Sequence, residues 1–195
     1  MIGHRCIWAA ALCFLSVAIV IHTSAAEYIV MADPTQSNVQ FTLGDILHRV
    51  HGLFKVQSGT IHFDPATGAS SGQVVVDVAS GNSGNVARDH RMQRDVLQSQ
   101  IFPRAVFAPD RITGAFSPEA DSELQVDGTI TIHGAKHEIT FPARVHVQNG
   151  EFDADGTFVM PYVEWGMKNP STFILRVGEK VTLNLHLAGA IARAN

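Results

Sequence analysis

The densest group of side chains that could do chemistry is the run Arg88-Asp89-His90-Arg91. A carboxylate beside an imidazole is a combination that acid–base catalysis uses, and guanidinium groups are strong donors to polar ligands. Adjacent helical residues point in different directions, however, so Asp89 and His90 are poorly arranged to act together. We predict no catalytic residues and assign Asp89, His90 and Arg91 to the polar end of a bound ligand. The alternative is a solvated first turn in which Asp89 stabilises the helix dipole.

Histidines are the other candidate ligands. His48 and His51 are three residues apart, a spacing at which two imidazoles on a helix could chelate a metal. No His-Glu-x-x-His or similar motif accompanies them, and both cysteines lie in the first 26 residues. We therefore predict no metal site and no cofactor. The histidines beyond residue 26 are His48, His51, His62, His90, His133, His137, His146 and His186.

Nucleophilic catalysis finds no support in the sequence. One stretch, Gly68-Ala69-Ser70-Ser71-Gly72, has the Gly-x-Ser-x-Gly spacing, but it follows a turn signal and leads into a strand pattern, whereas a nucleophile elbow turns from a strand into a helix. Ser58-Gly59 lies in no such motif. Without a cysteine after residue 26, that part of the chain has no thiol nucleophile and no disulfide. We predict that the protein is not an enzyme.

Residues 1–26 differ in composition from the rest. One basic residue, Arg5, precedes an uncharged apolar run over residues 6–21, and small side chains surround Ala26. This three-part pattern is typical of a secretory signal, and the run is short for a membrane span, which needs roughly 20 residues. We predict cleavage after Ala26, no stable membrane insertion afterwards, and a periplasmic or secreted protein. An uncleaved anchor and a lipoprotein anchor at Cys13 are the weaker alternatives.

The remaining chain is mildly acidic. Its 13 basic and 18 acidic residues give a net charge of −5 with histidine neutral, and lysine and arginine do not cluster into a long basic stretch. A nucleic acid or an anionic membrane attracts a positive field, so we predict neither as a partner.

The elements that position these residues are β-strands, because apolar and polar side chains alternate with a period of two. The clearest segments are residues 124–132, 139–147 and 181–187. Strands that are apolar on one side are typical of antiparallel sheets. Shorter segments of the same kind cover residues 39–43, 61–63, 74–78, 152–160 and 173–177.

Turn signals separate the strands. Asn149-Gly150 and His133-Gly134 predict tight hairpins, and Gly178-Glu179 predicts a turn between the last two strands. One helix is predicted over residues 87–98, with Met92, Val96 and Leu97 on an apolar stripe, and a further helical turn over residues 44–49.

About eight one-sided strands can form a two-sheet sandwich or a closed barrel. The short connections after residue 124 favour the barrel. We predict one all-β domain over residues 27–195, a single antiparallel β-barrel with one accessory α-helix. A barrel of eight strands is filled by its side chains or holds one small ligand.

Several segments combine into a set with a fixed order and spacing. They are Ala32-Asp33-Pro34, Ser37-Asn38-Val39-Gln40-Phe41, Val50-His51-Gly52-Leu53-Phe54, Gly59-Thr60-Ile61-His62-Phe63-Asp64-Pro65, Val76-Asp77-Val78-Ala79-Ser80, Arg88-Asp89-His90-Arg91-Met92, Ile101-Phe102-Pro103-Arg104-Ala105-Val106-Phe107, Val126-Asp127-Gly128-Thr129-Ile130-Thr131-Ile132-His133-Gly134 and Trp165-Gly166-Met167. In this set the chain resembles the YceI-like family of exported, polyisoprenoid-binding proteins over residues 27–192. Two departures are Tyr162, where members often have an arginine, and residues 80–84, where members have a more apolar segment.

The resemblance implies a lipocalin-like barrel, a bacterial periplasmic or secreted setting, and a long isoprenoid chain held inside. We therefore predict a non-catalytic carrier or sequestering protein for an isoprenoid lipid or an isoprenoid quinone. The alternatives are an enzyme that acts on such a lipid and a stress or surface-interaction protein with a filled barrel. The sequence does not decide whether the protein forms a homodimer.

Strand parity places no charged side chain on the inward face, and a hydrocarbon chain gains about 0.8 kcal/mol per buried methylene. The same apolar side chains could instead fill the barrel, and alternation alone does not decide between the two. The predicted ligand-contacting residues are Phe41, Ile61, Phe63, Val76, Met92, Phe102, Phe107, Ile132, Phe141, Phe158 and Leu185.

Overall fold

A computed structural model describes residues 27–45, 49–172 and 176–194. Within them the chain forms antiparallel strands and one short helix. The strands are β1 (Tyr28–Ala32), β2 (Asn38–Asp45), β3 (Arg49–Phe63), β4 (Ser70–Asn82), β5 (Arg104–Gly114), β6 (Asp121–Ile132), β7 (Ala135–Gln148), β8 (Glu151–Met160) and β9 (Val177–Arg193). The helix α1 (Val86–Arg91) follows β4 and continues as one π-helical turn, Met92–Val96.

The strands close into one barrel with eight strand positions. From β3 the order runs through β4, β5, β6, β7, β8 and β9, each strand paired antiparallel with the next. The remaining position is shared by two strands, because β1 and β2 each pair with both β3 and β9 at successive heights. The predicted eight-stranded antiparallel barrel with one accessory helix is confirmed.

Two of the predicted hairpins are present. Asn149 and Gly150 have φ values of 54° and 78°, and His133 and Gly134 have φ values of 50° and 78°. Two consecutive positive φ angles match the twist of a two-residue hairpin. These turns connect β7 to β8 and β6 to β7.

The predicted turn at Gly178-Glu179 is wrong, because both residues lie inside β9. A Cβ at Gly178 would lie 2.9 Å from the carbonyl oxygen of Gly44, so this glycine permits a close approach to β2. The helical turn predicted over residues 44–49 is also wrong at its ends, which belong to β2 and β3. Residues 46–48, and residues 173–175 of the predicted strand 173–177, lie outside the described residues.

The helix lies close against the barrel. Asn85 caps α1 by accepting a hydrogen bond from the backbone N–H of Arg88 at 3.0 Å, and the Gln93 amide donates to the carbonyl of Val78 on β4 at 2.9 Å. A Cβ at Gly81 would lie 2.4 Å from the Phe54 ring and 2.8 Å from the Met92 methyl group. The absence of a side chain at Gly81 therefore allows the helix to pack directly on β3 and β4.

The buried side chains form two clusters. The main one fills the middle of the barrel and extends under the helix, and the second, built around Val147, Phe152 and Ile191, closes one end. Among the described residues no charged side chain is buried, and the buried polar ones are Ser37, Ser99 and Ser122. In the described part of the chain no helix has the length and apolar character needed to span a membrane.

Candidate ligand-binding site

A cavity of about 510 Å³ opens at the end of the barrel opposite the second cluster. The ends of β2, β3, β8 and β9, the helical segment and the chain after β8 form its walls. Most of the lining side chains are hydrocarbon. They are Phe41, Leu43, Val50, Phe54, Ala87, Met92, Val96, Leu97, Met160, Tyr162, Met167, Pro170, Val177, Val181 and Leu183, with Gly44, Ser83, Arg88 and Arg91.

Aromatic side chains pack in the middle of the barrel, below this cavity. Phe141 lies between Phe107 and Phe158, with ring centroids 5.6 Å and 5.8 Å away. They leave a smaller space of about 80 Å³ in the middle of the barrel. Phe54, Leu97, Met160 and Leu183 line both spaces. The barrel is thus hollow at one end and nearly filled below it.

The chain after β8 forms one wall through Tyr162. Its ring is buried, and its hydroxyl donates a hydrogen bond of 2.7 Å to the carbonyl of Gly178 at the start of β9. Burial, together with the negative charge of Glu179, raises the pKa of the Tyr162 phenol above its ordinary value. The Tyr162 side chain therefore joins two walls of the cavity as a neutral donor.

Two arginines stand at the rim. Arg88 donates from Nε to the Ser83 hydroxyl and from a terminal nitrogen to the Ser83 carbonyl, both at 2.7 Å. The Asp89 carboxylate accepts from the backbone N–H of Ser83 at 3.0 Å and from the Ser83 hydroxyl. Arg91 follows Arg88 by one helical turn and also lines the cavity, whereas Asp89 and His90 do not.

The predicted ligand-contacting residues divide into three groups by position. Phe41 and Met92 line the large cavity. Ile61, Phe63 and Phe102 line neither space: Ile61 packs against the main cluster, Phe63 against Phe116 at the closed end, and Phe102 against the His133 ring. Those that line the small space are Val76, Phe107, Ile132, Phe141, Phe158 and Leu185. Contact of any of these residues with a ligand stays a prediction.

Sequence reasoning missed most of the wall of the large cavity. Leu43, Val181 and Leu183 lie in the alternating segments 39–43 and 181–187, and Val96 and Leu97 lie on the predicted apolar stripe of the helix. The sequence gives no reason to assign any of them to a ligand. The alternation of apolar and polar residues indicates that these strand side chains face inward, but it does not indicate how high along the barrel axis they lie. Tyr162 and Met167 lie in a segment without regular periodicity, so no pattern pointed to them.

The histidine candidates lie away from the cavity. His51 contacts the Thr42 hydroxyl through Nδ1 at 3.0 Å, and its predicted neighbour His48 is outside the described residues. On the outer face, Nδ1 of His186 lies 3.1 Å from Asp155 and 3.7 Å from Asp153. Both aspartates are exposed there, and a surface hydrogen bond between His186 and Asp155 accounts for the group.

Comparison with known proteins identifies the family to which this barrel belongs. The model of the YceI-like domain matches residues 31–188, and the chain belongs to this family. A UPF0312 protein of Pseudomonas savastanoi pv. phaseolicola is 28% identical over 155 residues, which cover 75% of this chain and 79% of the relative. A UPF0312 protein of Vibrio vulnificus is 27% identical over 132 residues, covering 66% and 68%.

Solved structures share the fold. BcnA of Burkholderia cenocepacia superposes with a TM-score of 0.68 at 23% identity, covering 82% of this chain and 99% of BcnA. A polyisoprenoid-binding domain from Saccharophagus degradans gives a TM-score of 0.65 at 16% identity, covering 84% and 98%. At these identities the likeness shows the barrel architecture.

Proposed function

We propose that this protein is an exported, non-catalytic carrier that holds the chain of an isoprenoid lipid or quinone in the large cavity. The cavity is the observation that carries the proposal. Its volume of about 510 Å³ falls within the range of roughly 300–1,000 Å³ that is usual for small-molecule sites. A filled barrel would leave no such space, so the alternative of a solid surface protein is disfavoured.

The chemistry of the walls favours a hydrocarbon chain. Aliphatic, aromatic and thioether side chains dominate the lining, and a chain that leaves water for such walls gains about 0.8 kcal/mol per methylene. The similar S. degradans domain is a polyisoprenoid-binding domain, which supports an isoprenoid among the possible hydrocarbons.

The lining also supports a carrier over an enzyme. Among the described residues around the cavity there is no carboxylate, imidazole or thiol that could act as a general base or nucleophile. Export rests on the signal pattern of residues 1–26.

Extraction of the purified protein with organic solvent, followed by mass spectrometry, tests the proposal directly. We expect a co-purifying isoprenoid lipid or quinone, and calorimetric binding of a short-chain ubiquinone to the delipidated protein. A lipid-free protein that also fails to bind the quinone would reject the carrier function.

A cavity-filling variant locates the site. Val181→Trp places a large ring in the cavity, and we expect quinone affinity to fall at least about ten-fold, or 1.4 kcal/mol. Ala87→Trp fills the same cavity from an exposed position of the helix and checks the result if Val181→Trp unfolds. The matched control is Val159→Trp, which adds the same ring on the outside of β8, where Val159 is 55% exposed. Equal affinity in all three folded variants would place the ligand elsewhere.

A further inference from the structure

The charge on the cavity rim has one sign. Among the described residues that line the cavity, the charged ones are Arg88 and Arg91, and no acidic side chain joins them. The two are three positions apart on α1, so their side chains leave the same face of the helix. An apolar cavity with this rim matches a molecule with a hydrocarbon chain and a negative end.

Contacts within the protein use only some of the hydrogen-bond donors of Arg88 and do not neutralise its charge. Arg88 uses Nε and one terminal nitrogen on Ser83, a neutral residue, and its second terminal nitrogen makes no hydrogen bond among the described residues. The carboxylate of Asp89 is directed to Ser83 and does not line the cavity. Ser83 therefore holds Arg88 in place, and one terminal nitrogen of the guanidinium stays available to donate hydrogen bonds to a ligand.

Arg91 is the freer of the two cations. In the described part of the chain its guanidinium forms no hydrogen bond and no ion pair within 4.0 Å. Its charge is felt weakly at Asp95, whose pKa is lowered mainly by the hydrogen bond from Arg94 at 2.8 Å. The guanidinium of Arg91 thus keeps the planar donor set that suits a two-oxygen anion.

We propose that the cavity selects a single-chain amphiphile whose head group is an anion, a phosphate or a carboxylate, bound at the rim by Arg91 with Arg88 beside it. This inference rests on the proposed lipid-binding function and narrows its ligand class. The hydrocarbon walls bind the chain whatever its head, so discrimination between heads falls to the rim. A neutral quinone head gains little from two cations, and an ammonium head is repelled by them.

Three ligands with one prenyl chain and different charge test the rim. Calorimetry of the delipidated protein with farnesyl phosphate, farnesol and farnesylamine, each below its micellar concentration, separates head-group binding from chain binding. We expect farnesyl phosphate to bind roughly ten-fold more tightly than farnesol and farnesylamine to bind most weakly. The preference should shrink as salt rises, because the rim is exposed to solvent.

Myristate distinguishes the two sources of an anionic chain. Binding tighter than that of farnesyl phosphate would assign the ligand to fatty acids and overturn the isoprenoid chain of the proposed function, and weaker binding would assign it to prenyl phosphates. Either result keeps the anionic head that the proposal names.

Charge-removing variants assign the effect to the rim. Arg91→Gln should weaken farnesyl phosphate about five-fold and leave farnesol unchanged, as expected for one solvent-exposed charge pair. Arg144→Gln is the matched control, since it removes the same charge from an exposed pair with Glu123 on the outer face of the barrel. It should change neither ligand.

The outcomes separate the two proposals. If farnesol binds as tightly as farnesyl phosphate, or if Arg91→Gln leaves the phosphate unaffected, the anionic head group is rejected while the lipid carrier stands. If none of the four ligands binds but the short-chain ubiquinone does, the head-group inference is rejected and the carrier function stands. If the ubiquinone also fails to bind, both proposals fail.

Discussion

The two ends of this barrel are built from the same kinds of side chain, but one end is packed and the other contains a cavity. At the closed end Phe116 packs edge-on against Tyr28 and Phe63, with ring centroids 5.0 Å and 5.4 Å away, beside the buried cluster of Val147 and Phe152. At the open end equally apolar walls surround about 510 Å³ of space.

The difference lies in what covers each end. β1 supplies Tyr28 and Val30 directly to the closed end, and Phe116 from the β5–β6 connection packs across them. At the open end the helix and the chain after β8 line the sides of the cavity, and the hydrogen bond from Tyr162 to Gly178 fixes the chain after β8 to β9. Apolar walls therefore stabilise one end by packing and leave the other able to take a hydrocarbon.

The largest expected effect comes from opening the closed end. Phe152→Ala removes a ring that is 5% exposed, and we expect a loss of about 3–5 kcal/mol in the free energy of unfolding, because the surrounding strands cannot collapse into the space. Chemical denaturation measures it. Val159→Ala, on the outer face of the same strand, should cost less than about 0.5 kcal/mol. A loss below about 1 kcal/mol for Phe152→Ala would contradict a tightly packed end.

A matched pair of valines compares the two ends directly. Val147 is 1% exposed at the closed end, and Val181 is 8% exposed with the cavity on one side. Without ligand, we expect Val147→Ala to cost about 2 kcal/mol and Val181→Ala about 1 kcal/mol, since a wall residue loses contacts on fewer sides. The same denaturation experiment checks both. Equal or reversed losses would mean that the open end is packed in solution.

The smallest effect concerns the two tyrosines, one at each end. Tyr162→Phe removes one hydrogen bond and should cost about 1 kcal/mol near neutral pH. Because folding raises the pKa of Tyr162, the intact protein should lose stability as the pH rises above the ordinary tyrosine value of about 10, where the unfolded chain ionises first. Melting temperatures measured against pH should show a shallower alkaline fall for Tyr162→Phe.

Tyr28→Phe is the control for this pH effect. It alters the tyrosine of the closed end, which contacts Phe116 and not Gly178. The alkaline fall should persist in this variant. An identical profile in both variants would show that Tyr162 does not determine the alkaline stability.

Much of the fold could be predicted because it rests on local rules. Period-two alternation identified the strands 124–132 and 139–147, and the hairpin at Asn149-Gly150 followed from the tolerance of these two residues for positive φ. Glycines used for close approach were harder to interpret. Gly178 had the appearance of a turn residue, yet it lies inside β9 because the backbone of β2 passes close to it.

The site was only partly accessible to the same reasoning. Alternation states which side of a strand faces inward and is silent about height along the barrel, so Phe63 and Phe41 looked equivalent. They lie at opposite ends, one packed on Phe116 and the other facing the cavity. Tyr162 and Met167 had no periodic signal, because the chain after β8 forms consecutive local turns and is fixed to β9 by the Tyr162 hydroxyl.

By itself the sequence determined that the strands are one-sided, that their inward faces carry no charge, and where the basic pair Arg88 and Arg91 falls on the helix. Those properties depend on residue type and spacing alone. Only the tertiary structure decided that one end is filled and the other is hollow. Whether apolar walls meet or stay apart depends on which distant segments cover them, and no local pattern records that distance.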